Sequence, residues 1–206
     1  FILDRSGSMQ GLEKDTIGGF NAMIEKQKQQ HSACYVSTIL FDHESKVIHD
    51  REKIMEVSPM TENDYYVGGS TALLDAIGGA IHHIGKLHKY FGEDAPSKTM
   101  FVITTDGMEN ASRRYDAATV KMMIERQKEK YGWEFIFIGA NIDAVETAAG
   151  FGIEADRAVN YNADKIGTKI MYESVAQAVC SLRASVPIGK TWRVNLDADY
   201  RKRGRR

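Results

Sequence analysis

Phe1-Ile-Leu-Asp4-Arg-Ser6-Gly-Ser8-Met9 constrains the fold of this chain more than any other stretch. Its three apolar residues read as a short buried strand. They run straight into an acid, two hydroxyls at alternate positions and a glycine that lets the backbone turn. From Thr16 to Gln30, apolar residues recur at helical spacing (Ile17, Phe20, Ile24), so a helix is expected to follow. Strand, polar turn and helix in succession place side chains at the carboxyl end of a parallel sheet, where open α/β folds bind ligands. Asp4, Ser6 and Ser8 would be presented there together, all through oxygen. Oxygen-only ligation suits a hard divalent cation, Mg²⁺ before Zn²⁺.

Alone, Asp-x-Ser-x-Ser is also what a helix-capping turn looks like. Two further stretches favour the metal. Gly68-Gly69-Ser70-Thr71 precedes the helical run Ala72 to Phe91 and sets another hydroxyl at a helix start. Phe101-Val-Ile-Thr-Thr-Asp106-Gly107 is a second buried strand ending in an acid and a glycine. With these three loops the chain resembles a von Willebrand factor A (VWA) domain with its metal-ion-dependent adhesion site. Asp4, Ser6 and Ser8 match the family's first loop, Thr71 the second and Asp106 the third. The resemblance covers roughly residues 1–180, the size of one α/β domain. Gly139-Ala-Asn-Ile-Asp143, after a later strand, looks most like stand-alone bacterial VWA proteins.

The order of elements agrees with that fold. Ala33 to Phe41 reads as a strand, and Lys46 to His49 as its neighbour across the Asp42-His-Glu-Ser turn. So short a link implies an antiparallel hairpin at the sheet edge. Arg51 to Tyr66 reads as a polar connection. Leu74, Ile77, Ile81, Ile84 and Leu87 stripe the next helix, whose glycines at 78, 79 and 85 would permit close approach to the sheet. Lys98 to Thr105 is the central strand. A helix marked by Ala117, Val120, Met123 and Ile124 follows, then strand Glu134 to Gly139. A short helix over Ala144 to Ala149, a strand near Ala158 to Tyr161 and a helix over Ala163 to Leu182 complete the pattern. The fold class is α/β: a doubly wound, mostly parallel, Rossmann-like sheet with one antiparallel edge strand and helices on both faces.

The 206 residues, 43% of them apolar, suffice for a VWA domain over 1–183 and a C-terminal extension over 184–206. The helical pattern fades from Ser185, and Arg201 to Arg206 reads as a solvated, disordered basic tail. A net charge of −1 gives no bulk attraction to nucleic acid or anionic lipid, and no apolar run has membrane-spanning length. Cys34 and Cys180 read as two buried free thiols, which favours a reducing, cytoplasmic compartment.

Carried onto these positions, the family arrangement has Ser6, Ser8 and Thr71 holding Mg²⁺ or Mn²⁺. Asp4 and Asp106 then act through bound water or by hydrogen-bonding the hydroxyls. Two such carboxylates balance the ion's charge without quenching its Lewis acidity. Magnesium wants six oxygens, so one place remains for an outside ligand, best filled by an Asp or Glu carboxylate of a partner protein. Met9, Tyr66 and Met108 flank the loops and are expected to form an apolar rim around that contact, with Tyr65 beside them. Asp75 either orients the Thr71 loop or is a simple first-turn acid.

A metal-dependent hydrolase is the alternative, but the three loops contain no histidine, and Glu109 is the only spare acid beside Asp106. A binding module rather than an enzyme is therefore expected. Three other patterns are set aside. Ala184-Ser-Val-Pro-Ile-Gly189-Lys190-Thr191 fits a loose P-loop but follows a helix, not a strand. His82, His83 and His88 lack the spacing of zinc enzymes. Ser6 stands where a dehalogenase-like phosphatase needs its second acid.

Overall fold

In the computed structural model, which describes residues 1–204, strands and helices alternate as the apolar pattern requires. The strands are β1 (Ile2–Asp4), β2 (Tyr35–Phe41), β3 (Ser45–Lys53), β4 (Met100–Thr105), β5 (Glu134–Gly139) and β6 (Ala158–Asn160). The helices are α1 (Glu13–Lys28), α2 (Leu73–Phe91), α3 (Ala117–Tyr131), α4 (Ala144–Gly150), α5 (Lys165–Arg183) and α6 (Val194–Arg203). The six strands form one sheet in the order β3-β2-β1-β4-β5-β6. All neighbours are parallel except β2 and β3, which make the antiparallel edge hairpin.

Both sheet faces are covered, so successive strand residues enter opposite core layers. Ile2, Ile39, Ile103 and Phe137 pack on one side with Ile77 of α2 and Val120 and Ile124 of α3. Leu3, Leu40, Val102 and Ile136 pack on the other with Phe20 and Ile24 of α1 and Met171 and Val175 of α5. Each such fully buried side chain contributes on the order of 1.5–3 kcal/mol of transfer free energy. Asp116, Asp143 and Asp164 cap α3, α4 and α5 by accepting from the amides of Thr119, Glu146 and Gly167.

Several expectations change. β3 runs on through Arg51–Lys53, read above as connection, because β2 still offers partners there: Tyr35 pairs with Lys53 and Val36 with Glu52. The glycines of α2 do not serve the sheet. Gly78 gives room to the Tyr115 ring, which a side chain there would meet at 2.6 Å, and Gly79 and Gly85 face open space.

The larger correction is at the C-terminal end. A one-turn helix, Lys190–Arg193, leads into α6, and Trp192 and Leu196 are 2% and 1% exposed within the α1–α5 core layer. Trp192 Nε1 donates to the Asp156 carbonyl at 3.1 Å. Two anchors four residues apart are too few for a periodic stripe, and the charges around them hid the helix. Arg201 to Arg203 form its last turn, where cations complement the helix dipole. Arg205 and Arg206 of the expected tail lie outside the described residues.

Cys34 and Cys180 are free and only part-buried; Gln27 Nε2 donates to Cys180 Sγ at 3.3 Å. No helix among the described residues is long and apolar enough to cross a membrane.

Candidate functional site

Asp4 closes β1 at the centre of the sheet and is held from three directions. Its Oδ1 accepts from the Ser6 amide at 2.7 Å and its Oδ2 from Thr105 Oγ1 at 2.6 Å. Its carbonyl accepts from the buried Tyr65 hydroxyl at 2.5 Å. Ser6 then starts a one-turn helix, Gly7–Met9, which brings Ser8 Oγ to 3.1 Å from Ser6 Oγ. Ser8 Oγ in turn donates to Asp106 Oδ1 at 2.5 Å, joining residues at the ends of β1 and β4.

The Thr71 loop is stitched to both neighbours. Gly7 N donates to the Gly69 carbonyl at 3.1 Å, and Gly68 N to the Arg5 carbonyl at 3.0 Å. Thr71 and Asn110 bond reciprocally, Thr71 N to Asn110 Oδ1 at 2.9 Å and Asn110 N to the Thr71 carbonyl at 3.0 Å. The start of α2 has no side-chain cap of its own. Its free amides are met instead from the loop after β4: Leu74 N reaches Glu109 Oε2 at 2.9 Å and Asp75 N reaches Ser112 Oγ at 3.0 Å. Asp75 returns the favour by accepting from the amides of Arg113, Arg114 and Tyr115. Burial alone would raise its pKa, but those three donors outweigh it and hold the carboxyl below the usual range. Asp75 therefore fixes the third loop rather than Thr71.

Asp4, Ser6, Ser8, Thr71 and Asp106 are thus brought into one cluster. A side chain added at Gly107 would meet Ser8 Oγ at 3.3 Å and Thr71 Oγ1 at 3.5 Å, so this glycine keeps the space between them open. The electrostatics are unbalanced. Asp4 and Asp106 are 1% and 2% exposed. Burial raises the pKa of Asp4 against the hydrogen bonds from Thr105 and Ser6. Burial also raises that of Asp106, as does the charge of Asp4, while the Ser8 hydrogen bond pulls it down. Asp106 Oδ2 is buried without a hydrogen-bond partner. Two adjacent buried carboxylates with an orphaned oxygen fit a cation better than they fit each other. Among the described residues no group of three or more His, Cys, Asp or Glu side chains gathers as a metal site; the oxygens brought together here belong to two carboxylates and three hydroxyls. That set suits Mg²⁺ or Mn²⁺.

The flanking residues divide. Tyr66 and Met108 are 54% and 74% exposed. Met9 is not on a rim: the tight turn exposes Gly7 and Ser8 and returns Met9 to the core layer of Leu12 and Phe20, at 5% exposure. Tyr65 is likewise buried, beneath Asp4. Glu109, the spare acid, is fully occupied by the amides of Leu74, Ala111 and Ser112 and the Ser112 hydroxyl. His83 pairs with Asp50 at 2.7 Å, His88 packs on Trp133, and His82 is exposed. Cavities of about 440 and 340 Å³ lie elsewhere, one around the amino ends of β1, β2 and β4 and one between the hairpin and α2. Neither is lined by the five cluster residues.

Sequence reasoning missed Thr105, Asn110 and His43, and took Glu109 only as a spare acid. A threonine directly before Asp106 at a strand end was a usable signal for Thr105. Glu109, Asn110 and His43 reach Leu74, Thr71 and Gly69 across the fold, and those contacts left no signal.

A six-stranded sheet in this order, with helices on both faces, is a VWA-like fold. A solved von Willebrand factor type A protein from Catenulispora acidiphila superposes with a TM-score of 0.52 at 13% identity, over 86% of this chain and 41% of that one. Proximal thread matrix protein 1 of the mussel byssus gives 0.58 at 13%, over 87% and 44%. A variant of the minor pilin PilB of Streptococcus sanguinis gives 0.55 at 12%, over 91% and 62%. The chain spans about half the length of these structures, and at such identities they establish the fold. No family model matches the sequence, and no curated protein matches it.

Proposed function

We propose that this domain is a protein-binding module which holds one Mg²⁺ or Mn²⁺ and through it grips an Asp or Glu carboxylate of a partner. The observation that carries the reading is the pair of buried carboxylates, Asp4 and Asp106, facing three hydroxyls with one carboxylate oxygen unmatched. Ser6, Ser8 and Thr71 would hold the ion, with Asp4 and Asp106 orienting the hydroxyls and offsetting its charge. Bound there, the cation supplies a Lewis-acidic position for one external oxygen ligand. Thr105 and Tyr65 keep Asp4 in place, and the Thr71–Asn110 exchange fixes the second loop. Tyr66 and Met108 stand exposed beside the centre, and Met108 would exclude water from the contact and strengthen it. Neither nucleic acid nor a membrane is part of this reading.

A metal-dependent hydrolase is the second reading, favoured by one observation. His43 Nδ1 lies 3.1 Å from buried Asp42, with its ring against Gly69, so a histidine does stand beside the second loop. Against it, neither of the two cavities described above opens onto the five residues. Calorimetric titration of Mg²⁺ and Mn²⁺ into wild type and Asp4→Ala tests the preferred reading. Single-site binding by the wild type, lost in the variant, is expected. Equal affinity in the two removes the assignment.

A further inference from the structure

Next to the metal loops, on the β2 side, lies a second cluster that the reading above leaves unused. Arg5 directly follows Asp4, and its side chain is 5% exposed. Its Nη2 lies 3.0 Å from Asp42 Oδ2, while its Nε and Nη1 are buried with no partner. Asp42 cannot serve them as well. Its Oδ1 already accepts from the Glu44 amide at 2.8 Å and lies 3.1 Å from His43 Nδ1. A guanidinium offers five N–H donors in a planar fork, so Arg5 keeps most of its capacity unspent. Over its face, 4.5 Å from the guanidinium carbon, sits the ring of Tyr66, which is more than half exposed. A cation–π contact at so exposed a ring is weak, so the ring is a cover that turns aside at little cost.

We propose that Arg5 is an anion subsite that takes a second carboxylate of the same partner segment, once Tyr66 swings away. This rests on the metal-bridge reading and sharpens it: the partner is an acidic segment bearing two carboxylates, one for the cation and one for Arg5. The two subsites share their walls. Arg5 and Ser6 are adjacent in the chain, and Tyr66 and Thr71 belong to one loop that is bonded to the Arg5 and Asp42 carbonyls through Gly68 N and Ala72 N. A carboxylate matches the guanidinium fork, whose Nε and Nη1 have no partner of their own.

The test follows the Arg5 Nε–H resonance, together with the Ser8 and Gly107 amides, by NMR. Succinate or acetate is titrated into the Mg²⁺-loaded protein at ionic strength matched with sodium chloride. Succinate is expected to move all three signals at about tenfold lower concentration than acetate, since its second carboxylate binds intramolecularly. Arg5→Lys, which keeps the charge but loses the fork, should bring succinate back to the acetate level. Tyr66→Ala leaves Arg5 intact and should tighten succinate, which decides the matter if Arg5→Lys does not fold. In chelator, Arg5 should still respond while Ser8 and Gly107 fall silent. Movement of Ser8 and Gly107 with Arg5 unmoved overturns this inference and leaves the metal reading standing. Movement of Arg5 alone, with and without Mg²⁺, supports the subsite and overturns the metal reading. Equal movement under chloride, or silence at all three positions, overturns the subsite.

Discussion

At Gly107 the lack of a side chain is a condition of the site. A Cβ there would crowd Ser8 Oγ at 3.3 Å and make ordinary contact with Thr71 Oγ1 at 3.5 Å, so Ser8, which is exposed, would have to shift. Gly107→Ala should therefore lower Mg²⁺ affinity by about tenfold, read by calorimetry, with a change in melting temperature of only a few degrees. Met108→Ala should behave oppositely to Thr71→Ala: both weaken a partner once one is found, but only Met108→Ala keeps metal affinity. A partner that binds both variants as well as wild type would end the model. The five oxygen-bearing residues could be picked out from sequence because Asp4, Ser6, Ser8 and Asp106 lie at or just past the end of an apolar strand and Thr71 just before an amphipathic helix. The contacts made by their supporting residues could not. Glu109 meets Leu74, and Thr105 meets Asp4 across 101 positions, pairings that only the folded sheet creates. Met9 was misplaced for a different reason: a single tight turn decides which way a loop side chain faces, and periodicity does not reach turns of that length.

Among the elements, α6 departs furthest from the sequence reading. Trp192 and Leu196 carry it, and truncating the indole should cost on the order of 3–5 kcal/mol. Urea denaturation of Trp192→Ala checks this; a loss below about 1 kcal/mol would mean the helix is only loosely docked. The far end of α6 is electrostatic. Arg203 hydrogen-bonds Asp164 and Asp199, which holds both carboxyls below their usual range against the cost of burial. Their folded values lie below the unfolded ones, so this stabilisation is complete above about pH 4 and is lost as pH falls through the lowered values. Acidification should loosen Tyr200 to Arg203 before the core, visible as local NMR shifts while α5 stays unchanged. Simultaneous loss of α5 and α6 would show that the ion pairs do not act locally.

For the whole molecule, the two core layers are complete without any ligand, so chelation should not unfold the domain. It should lower the melting temperature by a few degrees, by mass action alone, with unfolding still cooperative. Loss of cooperativity in chelator would show the ion to be part of the fold, as in a zinc finger. Sheet type, edge hairpin and helix order could be read because both-sided burial writes continuous apolar strands into the sequence. The C-terminal packing could not, since its information lies in two side chains.

The position of β1 has a further consequence, in time rather than space. This strand leaves the ribosome before β2 and β4, yet those two are its neighbours in the sheet, and Ser8 meets Asp106 only across a separation of 98 residues. Such long loop closure makes the middle of the sheet slow to form. The hairpin of β2 and β3 can pair early, while Asp4 waits for Thr105 and Asp106. A nascent chain would thus acquire its edge before its centre, and its affinity for a divalent ion would mark the moment at which the sheet closes.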